Sequence, residues 1–102
     1  MKGGLAMYAQ VSIITLGPGT RSAAEKLADQ FAPVLKTLKG FKRVTFVGDE
    51  TVGEYWSLSL WESKKDAEAA AAVVSPQLER AVSGIAKVPP IRRFFEVYEP
   101  KA

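Results

Sequence analysis

The sequence contains no cysteine and no histidine. Without cysteine there can be no disulfide, no thiolate nucleophile and no thiolate-bound metal. Without histidine the chain lacks the commonest general base near neutral pH and the commonest ligand of zinc and haem. No metal site and no cofactor are therefore expected. The same lack defeats a serine-hydrolase reading, because nothing of the usual kind is present to activate a serine. Long apolar runs are also missing. None approaches the ~20 residues that span a bilayer, so no transmembrane segment is expected. The first residues carry Lys2, but no apolar stretch suited to a signal peptide follows. Met7 is a candidate natural start, with residues 1–6 a flexible arm or an expression remnant. A cytoplasmic location is the expectation. Charge of one sign is scarce as well. Fourteen Lys and Arg stand against eleven Asp and Glu, a net +3. That is too little for a nucleic-acid partner, and the basic residues form no stripe. The adjacent pairs are Lys42-Arg43, Lys64-Lys65 at a solvated turn, and Arg92-Arg93, and strand alternation puts the members of the first and last pairs on opposite faces.

What is present is a globular composition. Of 102 residues, 47% are hydrophobic and 25% charged, which suits one domain over 1–102 with a single core. The most informative stretch is Glu54 to Ser63. Tyr, Trp and Leu alternate there with period two and run into a helix start, so it reads as a strand. One face carries Trp56, Leu58 and Leu60 and reads as plain core. The other carries Tyr55, Ser57, Ser59 and Trp61, rings mixed with small hydroxyls, which suits a pocket wall.

The remaining elements fall around it. Met7 to Leu16 is a first strand, broken by Gly17-Pro18-Gly19. The glycines match neither dinucleotide-binding nor Walker spacing, so this is a strand-to-helix turn. Ser22 with Glu25 fits a capping box. Ala24, Leu27, Phe31, Leu35 and Leu38 follow at helical spacing, with a kink or bulge expected at Pro33. Gly40 is expected to end that helix in a left-handed conformation. Lys42 to Gly48 is a second strand, joined to the third by the polar turn 49–53. Ser63 caps a second, alanine-rich helix. Ser75-Pro76 is expected to break this helix into two pieces. Ile91 to Tyr98 is the last strand, and residues 99–102 are a frayed tail. The order β-α-β-β-α-β predicts an α+β, ferredoxin-like sandwich with a four-stranded antiparallel sheet and both helices on one face. The other face would expose either Phe95 and Val97 or Phe94 and Tyr98. A second copy is the expected cover, giving a homodimer.

At this level the chain resembles the antibiotic biosynthesis monooxygenases of the dimeric α/β-barrel superfamily. The resemblance runs from Met7 to Tyr98. It rests on the element order, on Lys39-Gly40-Phe41 before the second strand, and on Leu60-Trp61-Glu62-Ser63 before the second helix. It implies a pocket between sheet and helices in each protomer. Members of the family include cofactor-free oxygenases of polyketide phenols and quinols, small haem-degrading enzymes, and proteins with the fold but no known reaction. In the haem-degrading branch a Trp at the end of strand three is similar to Trp61. That site also uses an Asn on strand one and a His on the second helix. Here strand one offers Gln10 and Ser12, and the helix has no His, so haem turnover is not expected.

A cofactor-independent monooxygenase acting on a small aromatic or quinol-type molecule is the primary expectation. Such an enzyme ionises an acidic phenol or enol, and the anion then donates an electron to O2. It needs a dry aromatic pocket, a proton acceptor and donors for the anion. The candidate wall is Tyr8, Gln10 and Ser12 with Tyr55, Ser57, Ser59 and Trp61. Arg43 or Arg92 is a candidate holder of an anionic oxygen. Glu96 is the candidate base, if buried; the alternative is a substrate that ionises without help. Against this stand plainer roles: Trp61 as a core anchor, the serines as small residues under a helix, the arginines in ion pairs. Two other functions fit the same fold, a non-catalytic small-molecule binding module and an interaction domain whose pocket is filled by Phe31, Leu35 and Trp61.

Overall fold

A computed structural model describes residues 7–100. The elements are β1 (Met7–Thr15), α1 (Arg21–Lys36), β2 (Phe41–Asp49), β3 (Glu54–Trp61), α2 (Lys64–Val82) and β4 (Ile91–Val97). The strands form one antiparallel sheet in the order β2-β3-β1-β4. This is the expected ferredoxin-like α+β sandwich. The residues of the suggested N-terminal arm lie outside the described part. Among the described residues no helix is long and apolar enough to cross a membrane.

Register decides which side chains share a face, because directly opposed residues of an antiparallel pair point the same way. Across β2, β3, β1 and β4 one row reads Phe46, Ser57, Ser12, Arg92, and the next reads Val44, Ser59, Gln10, Phe94. These rows face the helices. On the other side the rows read Val47, Trp56, Ile13, Ile91 and Thr45, Leu58, Val11, Arg93. The expectation that Trp56, Leu58 and Leu60 form plain core is thereby corrected. Trp56 and Leu58 are exposed, and the helix-covered face of β3 is the one carrying Tyr55, Ser57, Ser59 and Trp61. Polar hydroxyls went inside because the helices pack over that side, and a tryptophan indole supplies one of their hydrogen bonds.

The core lies between that face and the helices. Leu27, Phe31 and Leu35 of α1 meet Ala67, Ala70, Val74, Leu78 and Val82 of α2 over Ile14, Leu16 and Trp61. Ala67, Ala70 and Ala71 of α2 are buried, so their small side chains allow a close approach to the sheet. The helix does not break at Ser75-Pro76 but runs unbroken from Lys64 to Val82. Pro76 removes one backbone donor, to the carbonyl four residues back. Nearby side chains add donors on either side: Ser75 Oγ donates to the Ala71 carbonyl at 2.6 Å, and Gln77 Nε2 to that of Val73 at 3.3 Å.

Helix α1 starts at Arg21, not at a Ser22–Glu25 capping box, and no side chain caps it. The residue before it, Thr20, has its hydroxyl committed elsewhere, as described below. Pro33 lies inside α1 without ending it. Lys36 is the last helical residue, and a tight turn follows in which Phe41 N–H donates to Leu38 O. Gly40 is left-handed as expected (φ 82°), but within that turn rather than at the helix end. A Cβ there would collide with the Asp66 carboxylate at the start of α2. Ser63 caps α2 as expected, accepting from Asp66 N–H at 3.1 Å.

Candidate functional site

A cavity of about 270 Å³ opens between the helix-facing side of the sheet and α1. Its floor is a two-by-two patch of polar side chains. Gln10 and Ser12 of β1 stand opposite Ser59 and Ser57 of β3. Apolar walls come from Ile14, Leu27, Phe31, Leu35 and Phe46, and α2 contributes Val74 and Leu78. The charged lining residues are Arg21, Glu25 and Glu50, all exposed and therefore at the rim. Arg21 and Glu50 are paired at 3.3 Å across it.

Two hydrogen-bonded chains order the site, one through Ser59 and one through Tyr55 beside the patch. In the first, Trp61 Nε1 donates to Ser59 Oγ at 2.9 Å, and Ser59 Oγ donates to the Gln10 main-chain oxygen at 3.4 Å. Trp61 is completely buried, and its ring meets Phe41 edge-on at a centroid distance of 5.5 Å. The indole thus fixes a floor hydroxyl without lining the cavity itself. In the second, Thr20 Oγ1 donates to Gly17 O at 2.7 Å and lies 3.1 Å from the Tyr55 hydroxyl. Threonine has a single hydroxyl proton and spends it on Gly17, so Tyr55 is the donor of the second bond. The Tyr55 ring lies over Gly48 on the neighbouring strand, where a Cβ would collide with it.

One polar group in the floor stays unmatched. Gln10 is only 5% exposed, and its Oε1 is buried with no hydrogen-bond partner. Leaving a buried amide oxygen unpaired costs about 1–3 kcal/mol. The fold carries that cost beside its cavity, where a bound hydroxyl or amine could relieve it.

The structure brings together Gln10, Ser12, Tyr55, Ser57 and Ser59, all expected in the wall. It does not bring the other candidates to them. Trp61 stands behind Ser59. Arg43 is exposed and lies opposite Leu60, on the far face of the sheet. Glu96 is exposed rather than buried, and accepts from the Tyr8 hydroxyl at 3.3 Å, at the edge formed by β4. Arg92 is next to Ser12 in its row but does not line the cavity. Burial holds its guanidinium below its ordinary pKa, Glu79 on α2 partly offsets this, and its Nε has no partner. The floor therefore has no ionisable group except the phenol of Tyr55 near its edge. Among the described residues no cluster of acidic side chains could hold a metal ion. Thr20, Gly48 and, apart from Phe31 and Leu35, the lining residues of α1 were not among the expected pocket residues; Phe31 and Leu35 were expected only as residues that fill the pocket, and here they line it. Thr20 reads as loop and Gly48 as a strand end, and only the folded chain sets either against Tyr55.

The sequence matches no protein-family model and no curated protein. Solved structures match closely in shape. The monooxygenase from the gene ActVA-Orf6 of Streptomyces coelicolor, in complex with nanaomycin D, aligns over 96% of this chain and 92% of its own, with a TM-score of 0.72 and 20% identity. SnoaB, a cofactor-independent oxygenase from Streptomyces nogalater, aligns over 92% and 94%, with a TM-score of 0.69 and 14% identity. A Nitrosomonas europaea protein provisionally described as an antibiotic biosynthesis monooxygenase aligns over 100% and 98%, with a TM-score of 0.77 and 12% identity. The chain has the fold of the antibiotic biosynthesis monooxygenases. At these identities the likeness is one of architecture, and the function must be argued from the site.

Proposed function

We propose that this chain is a member of the antibiotic biosynthesis monooxygenases and oxidises a small aromatic hydroxy compound with O2, without a cofactor. The supporting observation is the cavity itself: apolar and aromatic walls over a neutral polar floor, in a fold shared with cofactor-independent oxygenases. In this reading the hydroxyl of the substrate meets the floor while the rings lie against Phe31 and Phe46. The ionised ring gives one electron to O2. The ring radical and superoxide then join through a new C–O bond. The hydroperoxide so formed loses water, which turns the attacked ring C–H into C=O and the phenol into the second carbonyl of a quinone. The substrate gives up four electrons in all, and O2 ends as one carbonyl oxygen and one water. The protein contributes placement and exclusion of water. Trp61 acts as a positioning residue, because it reaches the floor only through Ser59.

Arg43 and Glu96 stay outside this mechanism within one protomer, so the proton leaves to solvent from a substrate acidic enough to ionise unaided. Oxygen uptake by the purified protein against anthrones and hydroquinones tests the reading. The rate should rise with pH along the ionisation of each substrate, and its midpoint should move when the substrate is changed. A midpoint that stays put across substrates would show a protein base instead. A neutral floor with no base equally favours a second reading, a module that binds such molecules without turnover. Binding with no oxygen uptake above autoxidation would select it.

The same reading includes a homodimer in the cytoplasm. Val47, Trp56, Leu58, Ile91 and Phe95 form an exposed apolar surface on the far side of the sheet. A second copy laid sheet to sheet would cover it.

A further inference from the structure

We propose that Gln10 selects the ligand of this cavity, and that the ligand enters uncharged, as an arene of one or two fused rings bearing a free hydroxyl group. The inference rests on reading the cavity as a ligand site, as above. It goes further by naming the group that reads the ligand and the chemistry it accepts.

The floor decides the ligand's polarity. Its four polar side chains are Gln10, Ser12, Ser57 and Ser59, and none carries a charge. Ser59 spends its proton on the Gln10 main chain and takes one from Trp61. The Gln10 carboxamide is different. It is nineteen-twentieths buried, lines the cavity, and has an oxygen that nothing in the protein satisfies. The last torsion of a glutamine is broad, so the oxygen can turn to meet a ligand. A phenolic O–H donates to it. A methyl ether cannot, and leaves it unpaired. A carboxylate or phosphate brings a full charge into a floor that holds no cation to compensate it. Arg21, the cation of the lining, is at the rim and already paired with Glu50. Arg92 lies one strand beyond Ser12, outside the lining, and has Glu79 near it.

Size sets the second limit. About 270 Å³ is just under the roughly 300–1,000 Å³ typical of sites for drug-sized ligands. One ring or two fused rings fit between Phe31 and Phe46 with the hydroxyl toward Gln10.

The test is anaerobic calorimetric binding of three matched probes: 1-naphthol, 1-methoxynaphthalene and 1-naphthoate. Wild-type protein is compared with Gln10→Leu and Gln10→Met, each first checked for folding by circular dichroism and melting. The second variant guards against a fold defect peculiar to the first. In the wild type, 1-naphthol should bind about tenfold more tightly than its methyl ether, and 1-naphthoate most weakly. In the variants naphthol and ether should converge, with the loss falling on naphthol. Equal binding of naphthol and ether by the wild type overturns the inference. So does a naphthol preference that survives in both variants, a tightest fit for naphthoate, or no binding of any probe. Oxygen uptake is read separately. A Gln10-dependent preference without turnover sinks the oxygenase reading and leaves this one. Turnover by a protein indifferent to Gln10 does the reverse.

Discussion

The two faces of the one sheet carry opposite surprises. The face under the helices is lined with glutamine and serine at its centre, yet it is the buried one. The face turned away carries Trp56, Leu58 and Phe95, yet all three are more than a third exposed. The strands are the same in both cases, and alternation alone separates the two sets. The buried face can be polar because a cavity lies above it and because Trp61 and Ser59 satisfy each other. The exposed face can be apolar only if something else covers it, or at a cost in solubility. Polarity along a strand is therefore a poor guide to which side is inside.

The comparison can be broken most severely at Trp61. Trp61→Ala leaves a large void behind the floor and should cost about 3–5 kcal/mol in denaturant unfolding. Trp61→Phe keeps most of the volume and removes only the N–H to Ser59, so about 1 kcal/mol is expected. A loss in Trp61→Ala no larger than that of an exposed residue would show that the helix-side face does not hold the fold together. Next comes Gly48→Ala. The added methyl would collide with the Tyr55 ring and push it away from Thr20. Overpacking of this kind costs about 1–3 kcal/mol, and ligand binding in the cavity should weaken in parallel.

The open face sharpens the contrast from the other side. Leu58→Lys should change the stability of an isolated chain by less than about 1 kcal/mol, because the side chain is 39% exposed. The same change should abolish self-association in sedimentation velocity. A wild-type protein that sediments as a monomer would remove the case for a second copy on that face. The smallest effect is expected at the rim. Arg21 and Glu50 are 64% and 43% exposed at their side chains. Arg21→Ala should therefore shift unfolding by less than about 1 kcal/mol. Its effect on the rate of ligand entry, followed by stopped-flow, should exceed its effect on stability.

Some of this was legible beforehand for definite reasons. Leu27, Phe31 and Leu35 recur at helical spacing, and all three are buried. Gln10, Ser12, Tyr55, Ser57 and Ser59 alternate along two strands, so their sharing of one side needed only the correct register. The capping box at Ser22 misled because a local pattern competes with tertiary demands, and Thr20 answers to Tyr55 and Gly17 instead. The break at Pro76 misled because proline removes only one helical hydrogen bond. Packing of Val74, Leu78 and Val82 on either side outweighs that loss.

The amino-acid sequence by itself determined the elements and their order. Each of these follows from short-range patterns of apolar residues, glycines and caps. It also determined that histidine and cysteine chemistry is absent. Only the tertiary structure decided which side of β3 is covered, that Arg43 and Glu96 stand away from the cavity, and that Gln10 keeps a buried oxygen without a partner. Those outcomes depend on which strands are neighbours and which side the helices cross. Both are properties of long-range packing and are written in no local run of residues.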